Sequence, residues 1–181
     1  MGWNVRKTIV LVGMMGAGKT AVGKALAASL AVPFLDSDHE IETASNQSVA
    51  EIFDRYGEAF FRRKEAQVIA RLLDEECCIL STGGGAFLQE TNRSAISARG
   101  VSVWLDVPLD LLWKRVRQRD TRPLLRTANP LATLSGLYDA RVPIYALADL
   151  SVKADPAFTV QQMAERVLDA LAVRPDVLEK T

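Results

Sequence analysis

The chain has 181 residues, 22 Lys and Arg against 22 Asp and Glu, a hydrophobic share of 49% and a charged share of 24%. That is enough for one domain with a full core and an ordinary composition for a soluble globular protein. The balanced charge argues against a general nucleic-acid or membrane-surface binder, though a local basic patch stays open, and no apolar run is long enough to span a bilayer.

Taken in chain order, MGWNVRK leads into the strand TIVLV (8–12) without a signal-type apolar region. A helix follows Lys19, and PFLD (33–36) reads as the second strand. Ser48 and Glu51 have capping-box spacing and open a helical pattern. A longer amphipathic one runs from about 58 to 73. CCILS (77–81) and VSVWLD (101–106) are further strands. The segment from about 119 to 131 breaks the pattern with Arg122, Pro123, Asn129 and Pro130, and reads as an exposed loop suited to a lid. A weaker strand, DLSVK (149–153), precedes a last helix from 159 to about 173, stopped by Pro175. Short strands alternating with helices predict an α/β fold with a parallel sheet, whose ligands bind at the carboxyl ends of the strands. The adjacent Cys77 and Cys78 read as small buried strand residues, and the expected compartment is the cytoplasm.

GMMGAGKT (13–20) sits between the first strand and the first helix and satisfies G-x-x-x-x-G-K-[ST] in its required context. Gly13, Gly16 and Gly18 let backbone N–H groups turn inward onto an anion, and the helix start adds its positive dipole end. Lys19 supplies a point charge to the β- and γ-phosphates, and the Thr20 hydroxyl can ligate Mg²⁺. A nucleoside triphosphate is the expected ligand. The base-reading Asn-Lys-x-Asp of a switch GTPase is missing, and Asp54–Gly57 (DRYG) reads as a helix end. Asp106 is a formal metal-binding candidate but reads better as a strand-end or helix-capping residue.

In FLDSD (34–38) two carboxylates stand two positions apart. If the strand continues that far, Asp36 and Asp38 project to one side, one holding a Mg²⁺-bound water and the other accepting the proton of an attacking hydroxyl. The competing reading is an acidic turn that caps the next helix. His39 reads as a surface loop residue. Arg62 and Glu65 share a helical face, either as a solvated ion pair or with Glu65 steadying Arg62 for an anion. Gly83, Gly84 and Gly85 follow the third strand and permit close ligand approach through backbone N–H groups, or merely form a flexible turn. Arg122 in the irregular loop suits a lid arginine that meets the γ-phosphate after closure.

These motifs, with RPLL (122–125) and RVPIY (141–145), resemble the shikimate kinases in order and spacing over almost the whole chain. The resemblance implies a P-loop, nucleoside-monophosphate-kinase-like domain over 1–181: a five-stranded parallel sheet flanked by helices, with a mobile lid at about 119–131. It implies γ-phosphoryl transfer from ATP to the 3-hydroxyl of shikimate, with one Mg²⁺ per subunit, in a monomer binding neither nucleic acid nor membrane. By position, Asp38 is the base or orienter and Asp36 reaches Mg²⁺ through water. Arg62 and Arg141 pair with the substrate carboxylate while Gly83, Gly84 and Gly85 line the ring. Lys19 and Arg122 stabilise the moving phosphoryl group. Gly16, Ala17, Gly18, Lys19, Thr20 and Ala21 hold the phosphates, Arg115 stacks on adenine, and Pro156 matches the loop on its other side. One departure is that Ala146 and Leu147 follow Tyr145, where many members carry charge. Two alternatives are weighed against this reading. One is a kinase of the same fold for gluconate or a nucleoside monophosphate, disfavoured by the paired arginines. The other is a nucleic-acid-binding module using the basic run 113–126, where Trp113 is the only aromatic residue.

Overall fold

The computed structural model describes residues 2–118 and 127–181. Strands β2 (Thr8–Val12), β3 (Phe34–Asp36), β4 (Ile79–Ser81), β5 (Gly100–Asp106) and β6 (Leu150–Lys153) form one parallel sheet in the order β3-β4-β2-β5-β6. TIVLV is buried at every position because β2 is central and covered on both faces. Each of its large aliphatic side chains contributes roughly 1.5–3 kcal/mol by leaving water.

Helix α1 (Lys19–Leu30) carries Val22, Leu26, Ala27 and Leu30 on its inner side and packs with α7 (Val160–Leu171). The start of α7 is set by a complete capping box between Thr159 and Gln162. Helix α3 (Val49–Asp74) starts at the Ser48 cap, whose Oγ accepts from the Glu51 N–H at 3.1 Å. The two helical patterns expected here meet at Gly57, whose φ of 82° and ψ of 175° break the helix without ending it. Asp54–Gly57 therefore closes a helical half, as its reading implied. Helix α4 (Glu90–Arg99) packs on α3, and α5 (Leu109–Val116) on α6 (Pro130–Tyr145).

Several local expectations change. The chain does not stay extended after Asp36: α2 (Ser37–Ser45) begins at once, because the Asp36 carboxylate caps it, and His39 is an exposed helical residue rather than part of a loop. The irregular segment ends before Pro130. Proline fits the first turn of a helix, and the Asn129 side chain accepts from the Ala132 N–H at 3.2 Å, so residues 130–131 already belong to α6. Residues 127–129 are irregular, and 119–126 of the expected lid, with Arg122, lie outside the described residues. Cys78 is buried and Cys77 partly so, just before β4, and burial pushes the Cys78 thiol up to about 11. Asp106 closes β5, but α5 is capped by Pro108 without a side-chain bond, so Asp106 has no capping role. A small antiparallel pair, β1 (Trp3–Val5) with β7 (Leu178–Lys180), joins the two ends of the chain.

Candidate active site

The turn after β2 is built for an anion. Gly13, Gly16 and Gly18 take φ values of 147°, 83° and 92°, a region that side-chain-bearing residues rarely enter. At Gly16 space is also short, since a Cβ would stand 2.7 Å from Val116 Cγ1. Gly18 occupies the N-cap of α1 without a side chain to satisfy the first N–H groups, so those donors and the dipole end face the crevice. The Lys19 ammonium bends over the loop and donates to the Gly13 and Met14 carbonyls, the latter at 3.2 Å. Ala17, Thr20 and Ala21 line the same crevice, a cavity of about 960 Å³.

Asp36 and Asp38 line it from the β3 tip. Asp36 Oδ1 accepts from the Asp38 and His39 N–H groups at 2.9 and 3.2 Å, so the capping reading describes one of its oxygens. Asp38 reaches the crevice from the first turn of α2 instead of from a continuing strand. Its Oδ1 is buried without a hydrogen-bond partner among the described residues. Burial pushes the Asp38 carboxyl above the usual carboxylate range and the Asp36 charge adds to this, while Lys19 and Arg62 draw it down.

The kinked α3 brings Arg62 up to Gly85, behind the residues that line the cavity. Its Nη1 donates to Glu65 Oε1 at 2.9 Å, and Glu65 is 0% exposed. This is the steadying arrangement, not a solvated pair. Arg62 Nε and Glu65 Oε2 are also buried without hydrogen-bond partners among the described residues. Burial raises the Glu65 carboxyl and Arg62 pulls it back. Glu65→Ala should destabilise the fold by about 3 kcal/mol, because it removes the buried acceptor of the Arg62 guanidinium and leaves it the 3.6 Å contact with the exposed Glu58; the urea midpoint measures this.

The three glycines after β4 are where these groups meet. A Cβ on Gly83 would stand 3.0 Å from Asp38 Oδ1, one on Gly84 would stand 2.9 Å from Arg141 Nη1, and one on Gly85 would collide with the Arg62 guanidinium. The glycines thus admit three polar side chains from three helices. Gly83 and Gly84 also line the cavity, while the Gly83 N–H already meets Ser37 Oγ at 3.4 Å.

Arg115, on α5, donates to the Gly16 carbonyl at 3.0 Å and lines the cavity. Pro156 is exposed and is not among the lining residues; its neighbours Asp155 and Phe158 are. Sequence reasoning did not single these two out, and the only local signal was their place between a strand and a capped helix. Tyr145, the last residue of RVPIY, is buried with its hydroxyl on the Gly84 carbonyl at 2.6 Å, a contact that no local pattern signals.

The strand order, the anion loop at the head of α1 and a glycine loop that receives Asp38, Arg141 and Arg62 define the class: a P-loop kinase that phosphorylates a small molecule. Comparison with known proteins narrows it. The model of the family "Shikimate kinase" matches residues 15–172, and this chain belongs to the shikimate kinase family. A shikimate kinase of Ruegeria pomeroyi is 65% identical over 175 residues, which is 97% of this chain and 90% of the relative. A shikimate kinase of Paramagnetospirillum magneticum is 50% identical over 98% of this chain and 90% of its own length. Among solved structures, shikimate kinase from Acinetobacter baumannii in complex with shikimate superposes with a TM-score of 0.85 at 38% identity, covering 92% of this chain and 93% of that one. A gluconokinase from Sinorhizobium meliloti, at 17% identity and a TM-score of 0.61, shares the fold alone.

Proposed function

We propose that the protein transfers the γ-phosphoryl group of ATP to the 3-hydroxyl of shikimate, giving shikimate 3-phosphate and ADP, in chorismate and aromatic amino-acid biosynthesis. Beyond family membership, one observation carries this reading. Asp38, Arg62 and Arg141 converge on Gly83–Gly85, and the Asp38 end of that cluster opens into the cavity that contains the phosphate cradle.

The acceptor has one carboxylate and three hydroxyls. Arg62 and Arg141 answer the carboxylate, and the partnerless Asp38 Oδ1 accepts from the reacting hydroxyl. A carboxyl raised above its ordinary range by burial holds an accepted proton more firmly, so the environment of Asp38 serves proton acceptance. The Gly16–Ala21 loop orients the triphosphate, and Lys19 exchanges its loop carbonyls for phosphate oxygens. Arg115 covers the adenine end, where the loop around Pro156 supplies Asp155 and Phe158. Phosphoryl transfer asks the protein mainly for positioning and charge neutralisation.

No cluster of three or more His, Cys, Asp or Glu side chains is present among the described residues. That fits a Mg²⁺ held chiefly by phosphate and water. Thr20 and Asp36 share the cavity, and Asp36 spends only Oδ1 on capping, so Thr20 would ligate the ion directly and Asp36 through water. When bound, one Mg²⁺ per subunit neutralises charge on the β- and γ-phosphates. We place the protein in the cytoplasm as a monomer; no helix among the described residues is long and apolar enough to cross a membrane.

A coupled assay with ATP and Mg²⁺ tests the substrate. Shikimate should support turnover and gluconate should not; the reverse result overturns the proposal. Arg122→Ala should lower kcat roughly a hundredfold with little change in the shikimate KM, since its partner charge develops only in the transition state. Steady-state kinetics of that variant measure the split.

A further inference from the structure

The Gly83–Gly85 loop and the 3-10 turn after it (Ala86–Leu88) lie outside the sheet and are held by their own turn hydrogen bonds and by side chains. Ser37 Oγ accepts from the Gly83 N–H, Asn92 Nδ2 donates to the Ala86 carbonyl at 2.9 Å, and Arg93 donates to the Phe87 carbonyl at 2.7 Å. The remaining brace is Tyr145, whose phenol donates to the Gly84 carbonyl at 2.6 Å. Tyr145 differs from the others because Arg141 lies one helical turn before it on α6. A Cβ on Gly84 would stand 2.9 Å from Arg141 Nη1 and 3.8 Å from Tyr145 Oη, so phenol, guanidinium and peptide occupy one corner.

Elementary chemistry says what the hydroxyl is for. Tyr145 is 0% exposed, with its ring 6.3 Å from that of Trp104, and a phenylalanine would bury the same ring there. A buried hydroxyl is unfavourable unless bonded, so its presence points to the bonds it makes. Having donated to Gly84, the oxygen keeps lone pairs that accept N–H groups, and Arg141 is the cation beside it. Burial raises the phenol, which stays protonated at neutral pH, while Arg141 pulls it down. Pro143, inside α6, supplies no N–H, so the Asp139 carbonyl one turn earlier lacks its i+4 helical donor.

We propose that Tyr145 is a positioning residue for recognition of the acceptor carboxylate, its phenol locking the Gly84 peptide and the Arg141 guanidinium in mutual register so that Arg141 meets the carboxylate that Arg62 holds. This rests on the reading that shikimate is the acceptor and Arg141 grips its carboxylate. Tyr145 is not among the residues that line the cavity of the phosphate cradle.

The test is Tyr145→Phe, assayed with shikimate and with its methyl ester, beside Arg141→Ala and the double variant. The expected result is a shikimate KM raised about tenfold, with kcat and the ATP KM within about twofold. The preference for acid over ester should shrink by a similar factor. In the double variant the shikimate KM should match that of Arg141→Ala alone, because the phenol acts through Arg141. An unchanged shikimate KM, or additive effects in the double variant, overturns the inference. So does a variant that fails to fold, or in which kcat and both KM values shift together, since Tyr145 would then be structural. If the parent enzyme does not phosphorylate shikimate at all, the substrate assignment has failed instead.

Discussion

Asp38→Asn should lower kcat by about 10³-fold or more while leaving ATP binding and the fold intact. Asparagine keeps the shape and one acceptor oxygen but cannot take a proton at neutral pH. The Asp36 cap receives its bonds from the backbone N–H groups of residues 38 and 39, so α2 survives the change. Steady-state kinetics with saturating ATP and shikimate give the number, and a near-normal kcat would refute the role. Stability should move the other way. The folded pKa of Asp38 lies above its unfolded value, first through burial and then through Asp36, so the ionised form is penalised in the native state. That penalty is complete above the folded pKa and disappears below the unfolded one. The Asn variant should therefore resist urea better than the parent at pH 7, and the advantage should fade as pH falls into the ordinary carboxylate range. In the parent enzyme, kcat/KM for shikimate should decline with acidification at a pH above that range.

Arg141→Ala should weaken shikimate binding about three-hundredfold and ATP binding hardly at all, as judged by titrating each ligand separately. An arginine that grips a carboxylate in a partly buried pocket contributes charge and two directed hydrogen bonds, and alanine leaves neither. Arg62→Ala should cost comparable affinity but is less readily interpreted. Glu65 Oε1 takes its bond from Arg62, and Arg62 is what holds the fully buried Glu65 carboxyl down. Removing Arg62 drives Glu65 to protonate and loosens α3, so affinity and stability change together. Equal losses of shikimate and ATP affinity in Arg141→Ala would remove it from the acceptor site.

The parts of this site that could be read from the chain are those whose chemistry is local. The cradle compresses three glycines, a lysine and a threonine into eight residues, and its flanking strand and helix follow from hydrophobic pattern alone. Arg62 and Glu65 are three apart, so a helix must place them together. The dual use of FLDSD was half legible: the two acids were visible, but whether the chain stays extended or turns depends on Asp36 choosing backbone N–H groups within its own segment. The bracing of Gly84 was not legible, because Tyr145 lies sixty-one positions away and meets it only through the sheet and α6. Strands β1 and β7 escaped for a different reason. Three residues each carry no periodicity, and each exists only because the other end of the chain returns to pair with it.

The place of β2 in the sheet has a consequence for how the molecule assembles. Ile9 pairs with Ile79 on one side and Val101 on the other, so the first long apolar strand to leave the ribosome finds its neighbours only after most of a hundred further residues have followed. Until then TIVLV is a sticky segment with open hydrogen-bonding edges on both sides. Such non-local wiring slows folding and favours self-association of nascent chains. Shielding by a chaperone, or slow translation past residue 106, should therefore raise the soluble yield of this protein.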